Sequence, residues 1–180
     1  MPVGQIARKY IFLMEKMNLR LQYARESRYL TQAQIAKYLF CDQSLYSKYE
    51  RGIREIPVHL IVKLAYYYRV SLDYLTGLTD VPSPYPRKNI RSIRPARTGS
   101  AAEGASLRQT SLRIRELRED RDLTQKQLGV LLKCDLSLYS KYEREERALP
   151  LRYAVRLARF YRVSVDYLLG LTNVPRYSRR

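Results

Sequence analysis

Apolar residues recur at helical spacing through residues 18–82 and again through 111–175. In Gln32–Leu39 they are Ile35, Ala36 and Leu39; in Gln43–Arg51 they are Tyr46 and Tyr49. Side chains three and four apart share one side of a helix, so each segment is predicted to be a short helix with one buried stripe. Thr31 and Asp42 stand where a side-chain oxygen can cap these two helices. Pro57 and Pro150 are expected in the first turn of a longer helix, where a missing N–H costs nothing. Its stripe is Leu60, Ile61, Leu64, Ala65 and Tyr68, returning as Ala154, Leu157, Ala158 and Tyr161. Ser71 and Ser164 are predicted to cap a short fifth helix ending at Gly77 and Gly170. Asn18–Ser27 and Ser111–Asp120 supply the opening helices.

The two halves are one pattern written twice. Adding 93 to each number carries Leu30–Pro57 onto Leu123–Pro150 without a gap, and SLYSKYER stands unchanged at Ser44–Arg51 and Ser137–Arg144. The match runs from Leu19–Pro82 to Leu112–Pro175, with a little over half of the paired positions identical. A repeat this long marks two copies of a small domain rather than solenoid units. The expected organisation is an all-α chain of two tandem five-helix domains, 18–82 and 111–175. Residues 1–17 add a helical extension, because Ile6, Tyr10, Met14, Met17 and Leu21 keep helical spacing. That extension serves either local packing or contact with a second copy or a partner. Residues 83–110 are rich in Pro, Ser, Gly and Ala and carry Arg87, Lys88, Arg91, Arg94 and Arg97. They read as a flexible basic linker spanning about 30 Å as a coil and about 90 Å stretched. Residues 176–180 form a basic tail.

Charge narrows the choice of partner. Lys plus Arg number 34 against 17 acids, a net charge of +17. Such an excess points to a polyanion. No run of 18 apolar residues suggests a membrane span, and the charged N-terminus lacks the features of a secretory leader, so a cytoplasmic, nucleoid-associated chain is expected. Cys41 and Cys134 occupy equivalent turn positions with no CxxC pair or nearby His, so neither a zinc site nor any other cofactor is expected. His59 is replaced by Arg152 in the second copy, and no nucleophile–base pair is visible, so an enzyme is not expected.

The chemistry concentrates on the helix at 43–51. Opposite its tyrosines lie Gln43, Ser44, Ser47 and Lys48, a hydrogen-bonding face nearly free of acid. Such a helix suits the major groove of duplex DNA; one such face alone could equally be solvated. Two of them in a chain of charge +17 favour DNA.

Both halves resemble the lambda-repressor/Cro-like (Xre-like) helix-turn-helix family. The resemblance rests on Leu30-Thr31-Gln32, Ser47-Lys48-Tyr49-Glu50-Arg51-Gly52, Pro57 and Val70-Ser71-Leu72-Asp73-Tyr74-Leu75-Thr76-Gly77. The second copy has Leu123-Thr124-Gln125, Ser140-Lys141-Tyr142-Glu143-Arg144 and Val163-Ser164-Val165-Asp166-Tyr167-Leu168-Leu169-Gly170. Together they cover about seven-tenths of the chain. The resemblance implies a lambda-repressor-like fold and a sequence-specific regulator of transcription, a repressor by expectation, with recognition helices 43–51 and 136–144. It also implies that Arg25 pairs with Glu50, and Arg118 with Glu143, orienting those helices. Gln32 and Gln125 match the family glutamine that braces backbone and recognition helix. One departure concerns the turn between the two helices: its usual Gly is Phe40 here and Lys133 in the second copy, so an altered turn is expected.

In this reading Gln43 contacts adenine, Lys48 guanine, Ser44 and Ser47 bases or phosphates, and Leu45 a thymine methyl. Arg28, Arg51 and Arg54 hold phosphates, as do Arg144 and Arg147. The second copy reads through Leu136, Ser137, Leu138, Ser140 and Lys141. Gln43 becomes Leu136, and Gly52-Ile53 becomes Glu145-Glu146, so the two half-sites are expected to be unequal. The chain then acts as a covalent pseudo-dimer on successive major grooves, about 34 Å apart. The alternative is an interaction protein, such as an antitoxin-type regulator, in which one domain binds DNA and the other a protein partner.

Overall fold

The computed structural model describes residues 17, 18, 20–82 and 112–175. The chain divides into two compact units, Met1–Pro84 and Tyr85–Arg180. The described residues are helical and contain no β-strand. The expected extension, apart from Met17, and the expected linker and tail lie outside them.

In the first unit, α1 covers 17, 18 and 20–26. It is followed by α2 (Gln32–Leu39), α3 (Gln43–Glu50), α4 (Val58–Tyr68) and α5 (Leu72–Leu75). The second unit repeats the order as α6 (Ile114–Glu119), α7 (Gln125–Leu132), α8 (Leu136–Glu143), α9 (Leu151–Tyr161) and α10 (Val165–Leu168). Ile35, Ala36 and Leu39 are buried on α2, and Tyr46 and Tyr49 on α3, as the spacing predicts. Leu60, Ile61, Leu64, Ala65 and Tyr68 close the core from α4; Ala154, Leu157, Ala158 and Tyr161 do so from α9. Burying each such aliphatic side chain contributes about 1.5–3 kcal/mol, which lets so small a domain hold together.

Local chemistry sets the ends. The Thr31 hydroxyl accepts from the Gln34 amide at 3.2 Å while the Gln34 side chain accepts from the Thr31 amide at 2.7 Å. Thr124 and Gln127 repeat this capping box. Ser71 and Ser164 accept from Tyr74 and Tyr167 at the starts of α5 and α10. Asp135 accepts from Leu138 at 2.7 Å, whereas Asp42, in the same backbone position, makes no such bond.

Four boundaries differ from the sequence expectation. The second unit's first helix starts at Ile114, not Ser111, because the Arg113 amide is engaged by the Leu168 carbonyl at 3.0 Å. Pro57 and Pro150 precede their helices as caps, since ψ of 144° keeps each extended. The recognition segment ends at Glu50, with Arg51 its cap. Most informative is the turn: Phe40 (φ 58°) and Lys133 (φ 58°) adopt the left-handed conformation that glycine usually supplies. Their amides and those of Cys41 and Cys134 bond back to the preceding helix, so the turn keeps its closure without glycine.

Candidate nucleic-acid interface

The helices α3 and α8 are held from behind by a buried polar cluster. Glu50 is only 4% exposed along its side chain. The Arg25 guanidinium meets it in a fork, Nε to Oε1 at 2.6 Å and a terminal nitrogen to Oε2 at 3.2 Å. Arg25 also donates to the Leu30 carbonyl at 2.8 Å. The Gln32 amide nitrogen donates to Glu50 Oε2 at 2.8 Å. The second unit repeats each bond: Arg118 to Glu143 at 2.6 and 3.3 Å, Arg118 to Leu123 at 2.9 Å, and Gln125 to Glu143 at 2.8 Å. A planar donor fork matched to a carboxylate fixes orientation as well as position. Its hydrogen bond to Glu50 holds the Arg25 guanidinium above its usual pKa, and Glu143 does the same for Arg118. The carboxylate at the end of each recognition helix is thereby tied to the first and second helices at once. This clamp gives Gln32 and Gln125 a structural bond beside the role expected of them.

Behind that clamp, α3 turns Gln43, Ser44 and Lys48 to solvent, with Leu45 and Ser47 half-buried. On α8, Leu136, Ser137 and Lys141 are exposed, with Leu138 and Ser140 half-buried. Leu136 is 51% exposed, a large apolar side chain where Gln43 stands in the first copy. Arg54 and Arg147 are exposed beyond the helix ends. The expected contact residues of each recognition helix are thus exposed or half-buried.

Arg28 is placed elsewhere. It donates to the Ala24 carbonyl at 2.9 Å and the Tyr68 carbonyl at 2.5 Å, and lies over the Tyr68 ring. Arg121 similarly donates to the Phe160 and Tyr161 carbonyls at 3.2 and 2.6 Å. Both satisfy carbonyls left over at a helix C-terminus, where a cation also suits the helix dipole. Arg28 thus has structural bonds beside the phosphate contact expected of it. A third pair escaped sequence reasoning altogether. Arg20 is buried, bonded to the Tyr74 and Thr79 carbonyls and to Asp80. Arg113 bonds the Thr172 carbonyl at 3.1 Å and Asn173 at 2.6 Å, and stacks 4.1 Å over Tyr167. Three arginines at the start of each unit are therefore bonded to carbonyls or carboxylates of that unit.

The ends of the two recognition helices differ. The Arg51 Nε makes a long bond to the Ser47 carbonyl, 3.4 Å, and meets no carboxylate among the described residues. Arg144 instead grips Glu146 with Nε and a terminal nitrogen, at 2.6 and 3.0 Å, and donates to the Ser140 hydroxyl at 2.5 Å. The pairing raises the Arg144 pKa and lowers that of Glu146. The patch offers no grouped metal ligands among the described residues. No helix among them is long and apolar enough to cross a membrane.

Comparison with known proteins agrees with this architecture. The helix-turn-helix family (HTH_3) matches twice, at residues 21–75 and 114–168. An uncharacterized HTH-type transcriptional regulator of Bacillus subtilis (strain 168), YobD, is 48% identical over 63 residues, which are 35% of this chain and 56% of that protein. The match therefore spans little more than half the length of that relative. No solved structure matches the chain significantly. With both matched segments together covering more than half of its residues, the chain belongs to the Xre-like helix-turn-helix family, in two tandem copies.

Proposed function

We propose that the chain is a sequence-specific double-stranded-DNA-binding regulator of transcription, acting as a repressor. Each unit lays its recognition helix, α3 or α8, in a major groove, and the two act as a covalent pseudo-dimer on successive grooves. The observation that carries this reading is the duplicated clamp. Glu50 and Glu143, the acids at the ends of the two recognition helices, are drawn inward, so each outward face presents amide, hydroxyl, amine or apolar groups. Gln43 suits an adenine edge, Lys48 and Lys141 a guanine, and Leu45, Leu138 and Leu136 a thymine methyl. Ser44, Ser47, Ser137 and Ser140 suit bases or phosphates, and Arg51, Arg54 and Arg147 the backbone. Phosphate contacts supply affinity that falls with salt; base contacts supply choice of sequence.

The test is selection from a random duplex pool with the whole chain at physiological salt. Two unequal motifs, one helical turn or a multiple apart, are expected. A single short motif would instead favour the second reading, in which the second unit binds a protein, as in an antitoxin-type regulator. The exposed Leu136 and the Arg144–Glu146 pair supply the grounds for that alternative.

A further inference from the structure

The turn after each recognition helix has the same backbone in both units. In the first, the amides of Ile53 and Arg54 bond to the Lys48 carbonyl at 2.9 and 3.2 Å. In the second, Glu146 and Arg147 bond to the Lys141 carbonyl at 3.0 and 3.3 Å. Residues 53 and 146 are therefore carried back over the helix end, next to the arginine two positions earlier. At 53 the side chain is an exposed isoleucine, and Arg51 pairs with no acid among the described residues. At 146 it is a carboxylate, whose two oxygens take up two donors of Arg144. A third donor of Arg144 goes to the Ser140 hydroxyl. Guanidinium, carboxylate and hydroxyl thus form one closed set on the surface proposed to meet DNA. A carboxylate and a phosphate present the same paired oxygens to a guanidinium.

We propose that Glu146 is a built-in competitor for DNA phosphate: it occupies Arg144 and weakens the hold of the second recognition helix on the duplex backbone. The inference deepens the DNA-binding reading above and rests on it. The pair is half exposed, with side chains 54% and 50% accessible, so the competition is modest and reversible. The first unit, with Arg51 unopposed, anchors the chain. The second engages only where its base contacts or the tether compensate for displacing Glu146. The inequality of the two half-sites is then one of backbone affinity as well as of sequence.

The experiment measures binding of the full chain to its selected duplex over a salt series, by fluorescence anisotropy. Glu146→Gln is expected to tighten binding about fivefold, the scale of an exposed ion pair, and to steepen the salt dependence by about one phosphate contact. Glu145→Gln removes the same charge next door, where the carboxylate accepts from the Leu112 amide rather than from Arg144; it is expected to change binding by less than about twofold. Arg144→Ala is expected to have little effect in the natural chain and a clear one, about fivefold, in the Glu146→Gln background. Equal gains from Glu145→Gln and Glu146→Gln would overturn the proposal in favour of general charge. A loss on Arg144→Ala as large in the natural chain as in the Glu146→Gln background would also overturn it, since Arg144 would already reach phosphate. Arg51→Ala and Lys48→Ala separate the two levels. If they weaken binding while the Glu146 set behaves otherwise than expected, only the competitor fails; if they leave binding unchanged, the DNA reading itself fails.

Discussion

The same arginine follows the same seven residues, SLYSKYE, at positions 51 and 144, yet its surroundings differ. Two positions after Arg51 stands an isoleucine; two positions after Arg144 stands the carboxylate that it grips. Behind these helices, by contrast, the two units agree to about a tenth of an ångström: 2.6 and 3.2 Å for Arg25–Glu50, 2.6 and 3.3 Å for Arg118–Glu143, and 2.8 Å for each glutamine. The clamp behind the helix and the serines and lysine it presents have been kept, while its first residue (Gln43, Leu136) and the turn beyond it have changed. The outer helices follow the same division. Most buried positions of α4 and α9 correspond, whereas half-buried His59 and Tyr66 are replaced by exposed Arg152 and Arg159.

The largest expected effect tests the shared scaffold. Arg25→Ala leaves Glu50 buried without its partner, and Arg118→Ala does the same to Glu143. Each is expected to cost about 3–5 kcal/mol, the scale for breaking a buried pair by removing one member. Denaturant unfolding followed by circular dichroism measures this, and the two losses should agree to within about 1 kcal/mol. An unchanged midpoint for either variant would show that the clamp is not what holds the helix.

A second test of the scaffold uses pH. Burial raises the phenols of Tyr68 and Tyr161, each to about 12. Burial favours the neutral form, so this contribution is complete below the ordinary value near 10 and is lost as pH rises toward 12. Burial pushes Tyr46 and Tyr139 up as well, so absorbance titration of the tyrosines, alongside unfolding, is expected to show the two units losing stability together in that window. Titration of every tyrosine near pH 10 with the fold intact would contradict the burial.

Next in size is the presented face. Leu136→Gln restores the amide that the first copy carries at Gln43, and is expected to sharpen the second half-site by about 1–3 kcal/mol in favour of adenine. Repeating the duplex selection with this variant reads the effect directly. An unchanged second motif would mean that position 136 does not reach a base. The reciprocal change, Gln43→Leu, should blunt the first half-site to the same degree.

Much of this arrangement is legible in the sequence. Periodicity placed α2 at its observed ends and picked its buried residues, because a two-turn helix with one apolar side has few alternatives. The capping box is written in the sequence as Thr31-x-x-Gln34. The arginine staples were not legible. Arg20 and Arg28 find carbonyls 40 to 59 residues away, and nothing in the neighbouring sequence separates a staple from a phosphate contact. The net charge of +17 consequently overstates what each unit offers a polyanion, since six arginines are already bonded within their own units, although Arg28 and Arg121 remain exposed. The Arg144–Glu146 pair was half legible: the acids were visible in the sequence, but only the backbone of the turn shows which one meets the arginine.

The smallest effect concerns the one feature both copies share against the family's habit. Phe40 and Lys133 hold left-handed backbone at φ 58°, where a side chain costs about 1–2 kcal/mol relative to glycine. Glycine gives back part of that gain through the extra freedom of the unfolded chain, about 0.5–1 kcal/mol. Phe40 is 79% exposed, so its removal sacrifices little burial, though its ring lies 5.7 Å from the Lys63 ammonium. Phe40→Gly is therefore expected to stabilise the first unit by about 0.5–1 kcal/mol and to leave DNA affinity unchanged. Lys133→Gly should stabilise the second unit by a similar amount. If either substitution destabilises, the side chain contributes more through its surroundings than the strain it imposes. If both stabilise yet shift the selected spacing, the turn sets the groove entry angle as well as closing the helix pair.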